Sequence, residues 1–180
     1  MSTRATYEIF GHTFYVHHDG YEQGAAHKFV DMIQADSERD QVNNQKNQGG
    51  LAANFLRGNA RACFAKSHEQ HADTEFRYTI REKDFEPYLL VEAYCWESDR
   101  FKQSFSGSLF SFIEQYCPGK VLEVPGHGLM TRDNLIKLAS KNTELLEKWE
   151  EKKLLGVNYN NLSEKIRFHI SLLKDSSEAA

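Results

Sequence analysis

Ala5-Thr6-Tyr7-Glu8-Ile9-Phe10-Gly11-His12-Thr13-Phe14-Tyr15-Val16-His17-His18 is the stretch on which the fold turns. Tyr7 and Ile9 alternate with Thr6 and Glu8, and strand-like residues resume over Thr13 to His17, so residues 5 to 18 read as a β-hairpin. Gly11-His12, with glycine in the first central position, suits a type II′ turn. Past Asp19-Gly20 the period changes. Ala26, Phe29, Val30 and Ile33 fall on one face of a helix from about Tyr21 to Ala35, which would cover one side of the hairpin.

Reading onward, residues 36 to 50 carry Val42 as their only large apolar residue and read as a mobile or partner-ordered loop. A second helix is expected from about Leu51 to Ala65, with Gly58 a weak point inside it. Phe76, Tyr78 and Ile80 then alternate with Arg77, Thr79 and Arg81, and residues 89 to 96 alternate likewise, giving an antiparallel pair joined across Glu82 to Pro87. A third helix, Ser108 to Tyr116, is stopped by Cys117-Pro118-Gly119. A short strand Val121 to Val124 leads into a Pro125-Gly126-His127-Gly128 turn. A long helix capped by Thr131 reaches about Leu155, and a last one spans Leu162 to Lys174. The expected fold class is α+β: an antiparallel sheet of four to five strands packed by helices, with a C-terminal helical hairpin. Residues 1–125 form the α+β part and 126–180 a helical extension packed on it as one structural unit.

The chain has 180 residues, enough for one domain with a genuine core, and 22 basic against 26 acidic side chains leave a net charge of −4. That acidic balance argues against direct nucleic-acid binding, which needs a surplus of Lys and Arg on one face. Cys63, Cys95 and Cys117 are odd in number and lack C-x-x-C spacing, so buried thiols in a reducing cytoplasm are expected rather than disulfides or a thiolate zinc site. No apolar run reaches the length of a signal peptide or membrane helix, which points to the cytoplasm.

Two polar clusters, Tyr15 to Tyr21 and Ser67 to Glu75, hold four of the eight histidines, at strand–turn junctions where side chains can converge. His17, His18, Asp19, Tyr21 and Arg77 are candidate ligand-binding residues, and His68, His71 and Asp73 candidate metal ligands. Imidazoles and carboxylates suit a divalent metal, the only cofactor the composition indicates. Adjacent His17 and His18 point to opposite faces unless the strand has already ended. Arg4, Arg77 and Arg81, with Tyr15 and Tyr21 to stack on a base, would instead suit an anionic ligand. The simplest alternative for Arg77 and Arg81 is a solvated outer sheet face opposite Phe76, Tyr78 and Ile80. No nucleophile elbow or phosphate loop occurs, and His127 reads as a turn residue.

Ser2-Thr3-Arg4-Ala5-Thr6-Tyr7, Phe14 to Tyr21, Ser67-His68-Glu69 and Asp73 to Ile80 together form a pattern that resembles small, largely uncharacterised proteins of phages, prophages and other mobile elements. The resemblance covers the chain to about residue 115, departs from the expected pattern at Glu22, where a proline would stand, and supplies no catalytic residues. It implies an accessory role during propagation. Such proteins often inhibit host defence enzymes, so the expectation is a non-enzymatic binder or inhibitor of a host protein complex in the host cytoplasm. The acidic helices and the 36 to 50 loop are its contact candidates. The alternatives are a small-ligand protein, binding metal or nucleotide, and a metal-dependent hydrolase acting on nucleic acid or a nucleotide.

Overall fold

A computed structural model describes residues 3–35, 48–84, 86–124, 128–134 and 137. The chain divides into two compact units, Met1–Thr131 and Arg132–Ala180. The first contains the sheets and helices described below. In the second, residues 132–134 and 137 are helical; the rest of the expected C-terminal hairpin lies outside the described residues, as do 36 to 47 and Pro125-Gly126-His127.

The first unit is α+β, as its sequence predicts. Strands β1 (Ala5–Ile9) and β2 (His12–Val16) form the expected hairpin, with Ile9 facing His12 across the turn. The turn itself differs from expectation. Phe10 at φ 48° and Gly11 at φ 83° occupy its two central positions, so both residues take the left-handed conformation of a type I′ turn. Phenylalanine tolerates this because its N–H donates to the Ile80 carbonyl at 3.0 Å and its ring packs against the core.

Helix α1 (Glu22–Gln34) buries Ala25, Ala26, Phe29, Met32 and Ile33. Helix α2 (Gln48–Gly58) begins three residues earlier than its apolar pattern indicates and ends well before Ala65. Gly58 is its last residue, and a Cβ there would stand 2.5 Å from the Asp31 carbonyl oxygen, so glycine allows α2 to lie directly on the α1 backbone. The chain then turns over Asn59 to Ala62, where the Ala62 N–H donates to the Asn59 carbonyl at 2.8 Å, and Cys63–Ala65 becomes strand β3, paired with β2.

Strands β4 (Phe76–Lys83), β5 (Glu86–Cys95) and β6 (Arg100–Ser108) complete a six-stranded sheet in the order β3-β2-β1-β4-β5-β6. Two departures enlarge the expected sheet. β1 and β4 pair in parallel, with Thr6 beside Arg77 and Glu8 beside Thr79, which the intervening α1 and α2 make possible as a crossover. β6 is a long edge strand whose serines, Gly107 and Gln103 hide the alternation of Phe101 and Phe105. Helix α3 (Leu109–Tyr116) is capped by the Ser108 hydroxyl, which accepts from the Ser111 N–H at 3.0 Å, and ends at Cys117. β7 (Val121–Val124) pairs with β8 (Gly128–Thr131), a strand the turn-like sequence conceals.

Helices α1, α2 and α3 contribute to one apolar core. Tyr7 stacks on Tyr78 at 4.9 Å, and Phe29, Phe55 and Phe112 surround the pair within 6.1 Å. Each such pair adds about 0.5–1.5 kcal/mol beyond its area burial. Tyr78 donates its hydroxyl proton to the Gly20 carbonyl at 2.8 Å, whereas the Tyr7 hydroxyl is fully buried with no hydrogen-bond partner among the described residues. The cysteines depart from expectation in one respect: Cys117 is buried, but Cys63 on β3 is exposed and Cys95 partly so. Among the described residues no helix is long and apolar enough to cross a membrane.

Candidate functional site

Because residues alternate across a strand, the sheet's second face carries Thr6, Glu8, Tyr15, Arg77, Thr79 and Arg81. The segment from Lys66 to Glu75 crosses this face. Ser67 starts a single 3-10 turn, His68–Gln70, by accepting from the Glu69 N–H at 3.3 Å, and the His68 ring enters the sheet between the parallel strands. Its Nδ1 meets the Thr6 hydroxyl at 2.7 Å and its Nε2 the Thr79 hydroxyl at 3.1 Å, with the Glu8 carboxylate 3.8 Å from Nε2. Burial lowers the His68 pKa, opposed by Glu8, Glu69 and Glu92 and reinforced by Arg77, so the neutral ring is favoured. One ring nitrogen then donates to a threonine while the other accepts from its counterpart.

A threonine hydroxyl on a histidine nitrogen, with a carboxylate beyond, has the composition of a nucleophile–base–acid set. Thr6, however, is 0% exposed, so no substrate can reach its hydroxyl. His68 is a peg that fastens the crossing segment to the sheet. Two ion pairs reinforce the attachment, Arg77 to Glu69 at 3.4 Å and Arg4 to Asp73 at 3.1 Å, while Arg81 to Glu8 at 3.7 Å ties β4 to β1. The Glu75 and Phe76 N–H groups donate to the Arg4 carbonyl and lead the segment into β4.

The two histidine clusters meet at Tyr15. The His71 ring stacks on Tyr15 at 3.8 Å, and the Tyr15 hydroxyl bonds His17 Nδ1 at 3.1 Å. β2 ends at Val16, so His17 and His18 are no longer constrained to opposite faces, and their rings meet at 4.6 Å and 90°. Burial and the Asp73 carboxylate raise the Tyr15 pKa, keeping its phenol protonated. The proposed metal ligands diverge: His68 faces two threonines, His71 stacks on Tyr15, and Asp73 pairs with Arg4. Among the described residues no three His, Cys, Asp or Glu side chains are grouped to hold a metal ion.

His17, His18 and Asp19 line a cleft of about 590 Å³ with Lys28, Asn59 and Arg61. Lys28 comes from α1 and Asn59 and Arg61 from the turn after α2, a turn that a helix expected to run on to Ala65 concealed. Of the remaining ligand candidates, Tyr21 is the N-cap residue of α1 and is 42% exposed, and Arg77 lies across the open sheet face. The Arg77 guanidinium sits 3.9 Å from the centre of the Phe101 ring. Phe101 packs edge-on against Tyr94 at 5.4 Å, and Tyr94 against Trp96 at 4.7 Å. Trp96, at the tip of the β5–β6 hairpin, is 79% exposed. Arg77, Tyr94, Trp96 and Phe101 thus form an ordered aromatic and cationic patch, of which the sequence marks only Arg77.

No protein-family model, curated protein or solved structure matches the chain.

Proposed function

We propose that the chain is an accessory protein of phage or mobile-element origin that binds and blocks a host protein complex in the host cytoplasm. The observation that carries the reading is Trp96, 79% exposed at a hairpin tip and backed by Tyr94, Phe101 and Arg77. Trp, Tyr and Arg dominate the energetics of protein–protein interfaces. Tyr94 and Phe101 fix the platform before binding, which lowers the entropy lost on association. The net charge of −4 favours approach to a basic host surface, such as one that itself binds nucleic acid.

The test is to express the tagged chain in a bacterial host carrying a defined defence complex, then measure co-elution and phage plaquing. A stoichiometric complex and restored plaquing are expected, with Trp96→Ala weakening the complex about 30-fold, the equivalent of a 2 kcal/mol hot spot. Trp96 makes no core contact, so the variant should keep its unfolding midpoint. No stoichiometric partner, unchanged defence, or an unchanged complex with Trp96→Ala would each refute the proposal.

A further inference from the structure

The cleft beside the end of β2 has three walls, each bringing different chemistry. The strand end supplies the His17 and His18 rings and the Asp19 carboxylate, α1 supplies Lys28, and the turn after α2 supplies Arg61 and Asn59. Its volume of about 590 Å³ falls in the range of small-molecule sites, roughly 300–1,000 Å³. The chain carries a net −4, yet the lining of this hollow holds two basic residues, Lys28 and Arg61, and one acidic residue, Asp19.

The geometry points to a binding site for a sugar-phosphate ester of nucleoside-monophosphate size. Lys28 and Arg61 approach from separate walls and can hold one phosphate between them, the guanidinium supplying a planar fork and the ammonium a point charge. The imidazoles offer donors to phosphate and flat faces to a base, and Asp19 offers an acceptor to sugar hydroxyls. A bare anion would gain nothing from that carboxylate; a ligand carrying both phosphate and hydroxyls would.

The backbone that carries the two cations is braced before any ligand arrives. Asn59 Nδ2 donates to the Lys28 carbonyl at 3.1 Å and to the Phe55 carbonyl at 2.9 Å, tying the Arg61 turn to α1. The Ala62 N–H to Asn59 carbonyl bond, at 2.8 Å, closes that turn. Burial lowers the Lys28 pKa, against the pull of Asp19 and then Asp31, so its ammonium is partly stripped of water and gains more from an incoming anion than a solvated one would. This site is separate from the Trp96 patch, and either can fail without the other.

Isothermal titration of the full chain with adenosine 5′-monophosphate, ribose 5-phosphate, inorganic phosphate and adenosine tests the site. Both esters should bind, inorganic phosphate more weakly than either, and adenosine more weakly than its monophosphate. Arg61 is exposed, so Arg61→Gln should keep the unfolding midpoint while weakening the esters about tenfold. Lys28→Gln should weaken them to a similar degree. Phosphate binding as tightly as the esters, or adenosine as tightly as its monophosphate, would overturn the inference. So would undiminished affinity in both variants, or no binding of any probe up to about 10 mM.

Discussion

Replacing His68 with alanine removes the peg between β1 and β4 and should loosen the whole segment from Lys66 to Glu75. The ring joins two hydroxyls whose residues are 0% and 5% exposed, Thr6 and Thr79. A typical hydrogen bond contributes about 1 kcal/mol net, and a buried hydroxyl left without a partner costs about 1–3 kcal/mol. The side chain of His68 is only 12% exposed, so water reaches the vacated site only if the segment shifts. Taking partial relaxation into account, the loss should be about 2–4 kcal/mol, equivalent to roughly 6–15 °C in melting temperature for a unit of this size. Urea unfolding of His68→Ala should show a lower midpoint at unchanged slope.

The same residue has a pH signature of defined sign. Its folded pKa is depressed by burial, so the unfolded state binds a proton more readily. The stabilisation is complete above the ordinary histidine value of about 6.5 and is lost as pH falls from there toward the folded value. Wild type should therefore lose stability between pH 7 and 5 faster than His68→Gln does, the difference cancelling contributions from the other histidines. An unchanged urea midpoint for His68→Ala, or a wild-type advantage that grows as pH falls, would refute the peg.

Tyr7→Phe should be neutral or stabilising by up to about 1–2 kcal/mol in urea unfolding, because it deletes a buried hydroxyl that has no partner among the described residues; a loss above about 1 kcal/mol would show that the hydroxyl is satisfied after all. The Cys95 thiol is lowered to about 7 by the Ser98 and Lys102 side chains, whereas burial raises Cys117. Iodoacetamide at pH 7, read by mass spectrometry, should therefore modify Cys95 well before Cys117, and equal rates would contradict the geometry.

The local elements were legible where the hydrophobic period was strong. The β1–β2 hairpin, α1, the alternation of β4 and β5, and α3 with its Cys117-Pro118-Gly119 stop all follow from side-chain spacing and breaker residues. β6 was not legible, because its small polar residues mask the alternation of Phe101 and Phe105, and an edge strand need bury little. The end of α2 was not legible: Gly58 read as a weak point inside a helix running to Ala65, and only the packed structure shows the Asp31 backbone lying where a side chain at 58 would be. The histidine clusters were visible as strings. Nothing in their spacing separated His68, consumed by two threonines, from His17 and His18, which line a cleft.

The amino-acid order by itself determined the α+β class and which face of each element is apolar, since those depend on neighbours two to four residues apart. Only the tertiary structure decided the parallel register of β1 with β4, and with it the gap between Thr6 and Thr79 that His68 fills. Only the tertiary structure, likewise, set Lys28 and Arg61 around His17 and His18, and Arg77 over Phe101. These juxtapositions join residues far apart along the chain, and long-range pairing is fixed by how whole elements pack and close a shared core, not by local periodicity.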